Sequence, residues 1–243
     1  MKVAVIIIGR VDFISEENLN LNKQLLEGCD IFIHSDKKYK LPAYKLNPAG
    51  VIFTDNNKFD CLYRTYEQIY HKELIDQKKL EGIKHYDSNF NRIFQWIRLE
   101  ESLEKFNLEK YDVILKWRTD LPSVHNNPTS QLLEFQKKYG NFLNFFNTAY
   151  NSSFMYMFKD LIFASSYNTM MKCSFNHRIK DFIAKKEEEH IFDVDLLKEC
   201  DLDCAKFEWL DSSKKTFEYL FTSETAMIIN NLQNKVIMKS FFK

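Results

Sequence analysis

Apolar residues fall along the chain in two rhythms: short unbroken runs, and longer stretches in which they recur every three or four positions. The first run, Val3-Ala4-Val5-Ile6-Ile7-Ile8, is interrupted by Gly9 and Arg10. It is far too short to cross a bilayer, which takes about 20 apolar residues. It also lacks the small-residue cleavage site of a secretory leader. An unbroken run of this length predicts a strand buried on both faces, the habit of parallel sheets. Ser15 then suits a helix N-cap, with Glu16 and Glu17 at the positive end of the helix dipole. Leu19, Leu21, Leu25 and Leu26 give that helix an apolar side, and Gly28 stands where a left-handed C-terminal cap belongs. A second run at 30–34 follows at once. Strand, helix and strand in about 34 residues make a βαβ unit, which requires a parallel pair.

The same reading continues downstream. Val51-Ile52-Phe53 predicts a third short strand. Phe90, Ile93, Phe94, Ile97, Leu103 and Phe106 recur at helical spacing and predict a long helix over 88–106, ended by Asn107. A buried strand is expected at 111–117, a helix at 129–139 stopped by Gly140, and a short strand at 161–164 running into a Met-containing helix. From about Thr216 the pattern is helical and then apolar. Phe142, Phe145 and Phe146, with Tyr150 and Phe154, read as core. The alternation predicts an α/β fold: a mainly parallel central sheet flanked by helices. No linker or repeat divides the chain, so 1–243 reads as one domain, about 1–122 forming one half and about 123–243 the other.

Composition narrows the function classes. The 243 residues carry 34 basic and 34 acidic side chains, so the electrostatic footprint of a nucleic-acid binder is absent. With 45% hydrophobic residues, including 22 Phe, 12 Tyr and 3 Trp, the chain can build a core rather than remain disordered. Five cysteines, an odd number, suit reduced thiols in a soluble cytoplasmic protein. Only five glycines are present and none are close together, which excludes the Walker loop and the G-x-G-x-x-G fingerprint.

In open α/β sheets, ligands bind beyond the carboxyl ends of the strands. The residues there are Gly9 and Arg10 after the first strand, His34 at the end of the second, and Arg118, Thr119 and Asp120 after the fourth. Gly9 permits close backbone approach, and Arg10 and Arg118 suit phosphate oxygens. Asp120 suits a divalent cation, manganese or magnesium, that neutralises a diphosphate. Arg118 and Asp120 equally suit a plain rim ion pair, and spacing leaves both readings open. Literal carboxylate pairs occur at Asp193/Asp195 and Asp201/Asp203. The first lacks a buried strand to present it and reads better as the start of a helix.

Three segments carry a family resemblance. They are the opening strand with Cys29-Asp30-Ile31-Phe32-Ile33-His34; the stretch from Asn91-Arg92-Ile93-Phe94-Gln95-Trp96 to Tyr111-Asp112-Val113-Ile114-Leu115-Lys116-Trp117-Arg118-Thr119-Asp120-Leu121; and Asp160-Leu161-Ile162-Phe163-Ala164-Ser165 with Ser223-Glu224. Together they resemble bacterial glycosyltransferases of the GT-A type, the group that includes the WavE-like lipopolysaccharide and capsule synthesis proteins. The resemblance implies a GT-A-like fold and transfer of a sugar from a nucleotide-sugar donor to a glycan or lipid-linked glycan acceptor. It also implies peripheral association with the inner face of the cytoplasmic membrane. Gly9, Arg10, His34, Arg92, Trp96 and Arg118 would bind the donor, and Asp120 would take the last place of the metal-binding DxD. Arg118 replaces that motif's first carboxylate.

An inverting transferase needs a base to take the acceptor hydroxyl proton, and Glu224 and Asp160 are the candidates. Glu224 is preferred, because the start of a parallel strand faces away from the ligand rim; only an antiparallel strand would return Asp160 to it. Glu224 equally suits a helix start capped by Ser223. The rival readings are a nucleotidyltransferase on a similar sheet and a non-catalytic module that keeps the fold.

Overall fold

The computed structural model describes residues 1–13, 15–55, 90–121, 128–158, 161–173, 199–200, 231 and 234–242, with backbone alone for 90–94 and 128–129. Seven strands form one sheet: β1 (Val3–Gly9), β2 (Asp30–Asp36), β3 (Gly50–Thr54), β4 (Val113–Trp117), β5 (Phe154–Phe158), β6 (Ile162–Ser165) and β7 (Ile237–Ser240). Six helices are described with them: α1 (Glu16–Leu25), α2 (Lys40–Tyr44), α3 (Phe90–Lys105), α4 (Pro128–Tyr139), α5 (Phe142–Ala149) and α6 (Tyr167–Cys173). The chain is therefore an α/β protein built on a mixed, mostly parallel sheet.

The strand order is β3-β2-β1-β4-β6-β5-β7. β1 pairs in parallel with β2 and β4, β2 with β3, and β5 with β7. β6 alone among these is reversed, antiparallel to both β4 and β5. The order also departs from the 3-2-1-4-5-6 and 2-1-3-4-5 sequences of doubly wound dinucleotide and flavodoxin-like sheets.

The local signals explain most elements. Ser15 caps α1, its side chain accepting from the Asn18 amide at 3.1 Å. Gly28, Gly140 and Asn107 take left-handed conformations where the helix stops were expected. β2 runs two residues past His34, to Asp36. α5 and β5 were not foreseen, because five aromatic residues in thirteen obscure both periods. The end of the chain, expected to be apolar after a helix, provides strand β7; 216–230 lies outside the described residues.

The sheet separates two cores. On one face Ala4, Ile6, Ile8, Phe32 and Ile114 pack with α3 through Trp96, Ile97, Leu99 and Leu103. On the other, Val5, Ile7, Ile33, Leu115 and Trp117 pack with Leu19, Leu25, Phe135, Phe142 and Phe146. Phe142 and Phe146 are 0% and 1% exposed, so the aromatic cluster is core. Cys29 is a free thiol, pushed up to about 12 by burial and by neighbouring Asp30.

Candidate functional site

The crevice of an open α/β sheet opens where successive connections leave in opposite directions. Here that point lies between β1 and β4, because β2 and β3 extend the sheet to one side of β1 and β4 starts the other. Ile7 is in register with Trp117, so Gly9 and Arg10 emerge beside Arg118, Thr119 and Asp120.

Gly9 has φ +80, a conformation that L side chains seldom adopt, and a Cβ built on it would meet nothing within 4 Å. Its carbonyl accepts from the Ser35 hydroxyl on β2. Arg10 is mostly exposed and pairs with Asp12, whose backbone amide donates to the Thr119 hydroxyl at 3.3 Å. That bond ties the loop after β1 to the loop after β4.

Arg118 and Asp120 close a two-point ion pair: Nε donates to Oδ1 at 2.9 Å and Nη2 to Oδ2 at 2.6 Å. The Asp120 side chain is 16% exposed. Burial raises its carboxyl, but the Arg118 guanidinium more than offsets this and Arg10 adds to it, so the group sits below the usual carboxylate range. The mutual influence of Arg10 and Asp120 shows that the two loops share one electrostatic field. Two guanidinium groups thus flank the crevice, each steadied by a carboxylate.

Under this rim, α1 supplies a polar brace. Asn22 is fully buried; its Oδ1 accepts from the Trp117 indole at 2.6 Å and its Nδ2 donates to the Thr119 carbonyl at 3.1 Å. Nδ2 also reaches the Asn18 carbonyl at 2.8 Å. Sequence reasoning placed Thr119 at the rim but missed its tie to Asp12, and it missed both asparagines. The signal available was Asn18 and Asn22 four apart on the leucine-bearing side of α1, where a polar pair has to find buried partners.

Other expected donor residues lie elsewhere. His34 is fully buried between β2 and α3: Nδ1 lies 3.2 Å from both the Arg98 carbonyl and the Ser102 hydroxyl, and Nε2 3.3 Å from Thr54 Oγ1. Burial lowers it to about 4, against the pull of Glu101. Trp96 is 4% exposed and stacks on Phe163, ring centroids 5.6 Å apart. The structure thus places both in the core on the α3 face rather than at the rim. Arg92 lies in the first turn of α3, among residues whose side chains are not described. Also on this face is Lys116, 1% exposed, whose ammonium donates to Gln95 Oε1 at 3.5 Å and the Leu161 carbonyl at 3.3 Å.

Glu224, Asp160, Asp193, Asp195, Asp201 and Asp203 lie outside the described residues. The direction of β6 still bears on Asp160. Being antiparallel to β4, β6 begins at the rim where β1, β2 and β4 end. The objection drawn from a parallel strand therefore falls away.

For a divalent cation, the test is the donor set. Such ions take six or more oxygens, several of them carboxylate or carbonyl. Both Asp120 oxygens already accept from Arg118, and among the described residues no group of three His, Cys, Asp or Glu converges. As arranged, these residues do not fit a cation. Compared with known proteins, the chain matches no family model and no curated protein.

Proposed function

We propose that this chain is a nucleotide-sugar-dependent glycosyltransferase with a GT-A-like fold, acting on a bacterial surface glycan of the lipopolysaccharide or capsule kind. One observation carries the reading: Gly9, Arg10, Arg118 and Asp120 converge at the crevice between β1 and β4. The reversed β6 supports a sheet other than the dinucleotide-binding type.

In this reading the donor's diphosphate lies over Gly9, where the absence of a side chain leaves room. The acceptor hydroxyl oxygen forms a bond to the anomeric carbon as the bond from that carbon to the phosphate oxygen breaks. The electron pair leaves with the nucleoside diphosphate, and Arg10 and Arg118 stabilise the charge that develops there. The acceptor proton passes to a carboxylate, Asp160 or Glu224.

The closed Arg118–Asp120 pair favours one rival, a module that keeps the fold without turnover. Thermal-shift screening of the full chain against nucleoside diphosphates and nucleotide sugars, with and without manganese, tests the proposal. Stabilisation by a nucleoside diphosphate and slow hydrolysis of one nucleotide sugar are expected. No stabilisation by any nucleotide overturns the reading, and release of inorganic diphosphate assigns the fold to nucleotidyl transfer instead.

A further inference from the structure

Directly after β2, the chain makes a 3-10 turn (Lys37–Tyr39) and the short helix α2. Along this segment Lys37, Lys40, Leu41, Tyr44 and Lys45 follow the spacing i, i+3, i+4, i+7, i+8, and all five are exposed. Leu41 is 82% exposed and Tyr44 50%, two of the four large apolar residues most open to solvent among the described ones. The opposite side is fastened down: Ala43 is 0% and Leu46 5% exposed, both within the core on the α1 face of the sheet. The Tyr44 ring rests on Phe53, centroids 6.0 Å apart. The apolar pair is thus held outward on an anchored turn.

Charge is concentrated at the same place. Lys37, Lys38, Lys40 and Lys45 fall in nine residues, and no acidic residue occurs from Lys37 to Thr54, in a chain whose net charge is zero. The carboxylates at either end of this stretch are Asp36 and Asp55; Asp36 Oδ1 is occupied by the Lys38 backbone amide at 3.0 Å. A stripe of lysines around exposed leucine and tyrosine matches an anionic interface, with the apolar tips entering the headgroup boundary and the ammonium groups meeting lipid phosphates.

We propose that the exposed face of residues 37–45 docks this protein on an anionic lipid surface. The segment leaves the carboxyl end of β2, and Tyr39 lies within the electrostatic reach of Arg10. Docking there turns the β1/β4 crevice toward the lipid. The proposal does not depend on sugar transfer, and it assigns the element that would make a peripheral contact.

The test is co-sedimentation of the full chain with vesicles of phosphatidylcholine alone and of phosphatidylcholine mixed with phosphatidylglycerol. Binding to the mixed vesicles only is expected, weakening as salt rises. Each lysine changed to Gln at 37, 38, 40 or 45 should lower partitioning roughly fivefold. The double variant Leu41→Ser, Tyr44→Ser should also weaken binding with only a small drop in melting temperature, since Leu41 projects into solvent and the half-exposed Tyr44 gives up its contact with Phe53. Failure to pellet with phosphatidylglycerol overturns the proposal. So does equal binding by the Leu41/Tyr44 variant, which would mean attraction by charge alone. Release by millimolar inorganic phosphate, or tighter binding to a soluble acidic polysaccharide that ignores Leu41 and Tyr44, assigns the patch to those anions and likewise overturns it.

Discussion

The Asn22 side chain accepts a hydrogen bond from the indole of Trp117, joining the middle of α1 to the last residue of β4 at 2.6 Å. Through its other end it also holds the Thr119 carbonyl. One buried amide thus fixes where β4 stops and where the loop bearing Arg118 and Asp120 turns. Asn22→Ala would leave a buried N–H and a buried carbonyl without that partner, at roughly 1–3 kcal/mol each. Urea denaturation should show a loss of about 3 kcal/mol, and nucleotide affinity should fall in the folded variant. Unchanged stability would mean that water replaces the amide.

Arg118→Lys keeps the charge and removes the planar fork that engages both Asp120 oxygens. Nucleoside diphosphate affinity and sugar turnover should drop at least tenfold, with only a small change in melting temperature. If the variant unfolds, Arg118 is structural and the proposed role is wrong.

Asp120→Asn separates an ion-pair role from a metal role. The carboxylate lies beside two guanidinium groups that the proposal gives to phosphate, so removing its charge should tighten metal-free nucleoside diphosphate binding several-fold in calorimetry. Loss of a manganese-dependent component instead would assign Asp120 to a cation.

The reversed direction of β6 changes the expectation for the base. Asp160→Asn should cost sugar transfer at least as much as Glu224→Gln, with donor binding kept in both. General-base removal typically costs about 10²–10⁴-fold. Wild-type transfer by Asp160→Asn returns the role to Glu224.

His34 predicts a pH dependence of stability. Its folded-state value is lowered from 6.5 to about 4 by burial, so between those pH values the unfolded chain binds the extra proton. Stability is therefore unaffected by this group above about pH 6.5, falls as pH drops toward 4, and loses on the order of 3 kcal/mol in all. Urea midpoints of wild type and His34→Gln across this range should converge as pH falls; parallel curves would remove His34 as the source.

The parallel half of the sheet was legible because each of its strands contains an unbroken run of at least three apolar residues, and because Ser15, Gly28 and Asn107 mark where helices begin and end. The position of the rim residues followed from the strand ends. What stayed hidden depends on tertiary direction. Nothing in Ile162-Phe163-Ala164 states whether the strand runs with or against its neighbours, and that decides the standing of Asp160. His34 reads as a rim residue because the apolar run stops just before it, whereas Ser35 and Asp36 continue the strand and leave the imidazole facing α3. The Arg118–Asp120 pair was one of two readings left open by spacing, since only the rotamers distinguish a clasp from a ligand-facing fork.

The four-residue strand β7 has its own consequence for how the chain reaches this state. Among the described residues it pairs with β5 alone, in parallel, across about 80 residues of sequence, whereas β5 and β6 lie next to one another in the chain. The β5–β6 hairpin can form early and locally, but the loop closure that brings in β7 comes late. Until then the Met155 and Met157 strand shows an open, apolar edge that invites pairing with another chain. On the ribosome that interval lasts while the intervening 80 residues are made, so crowded expression should drive this protein toward aggregates seeded at β5, and fewer chains in synthesis at once should relieve it, whereas slower elongation should lengthen the exposure.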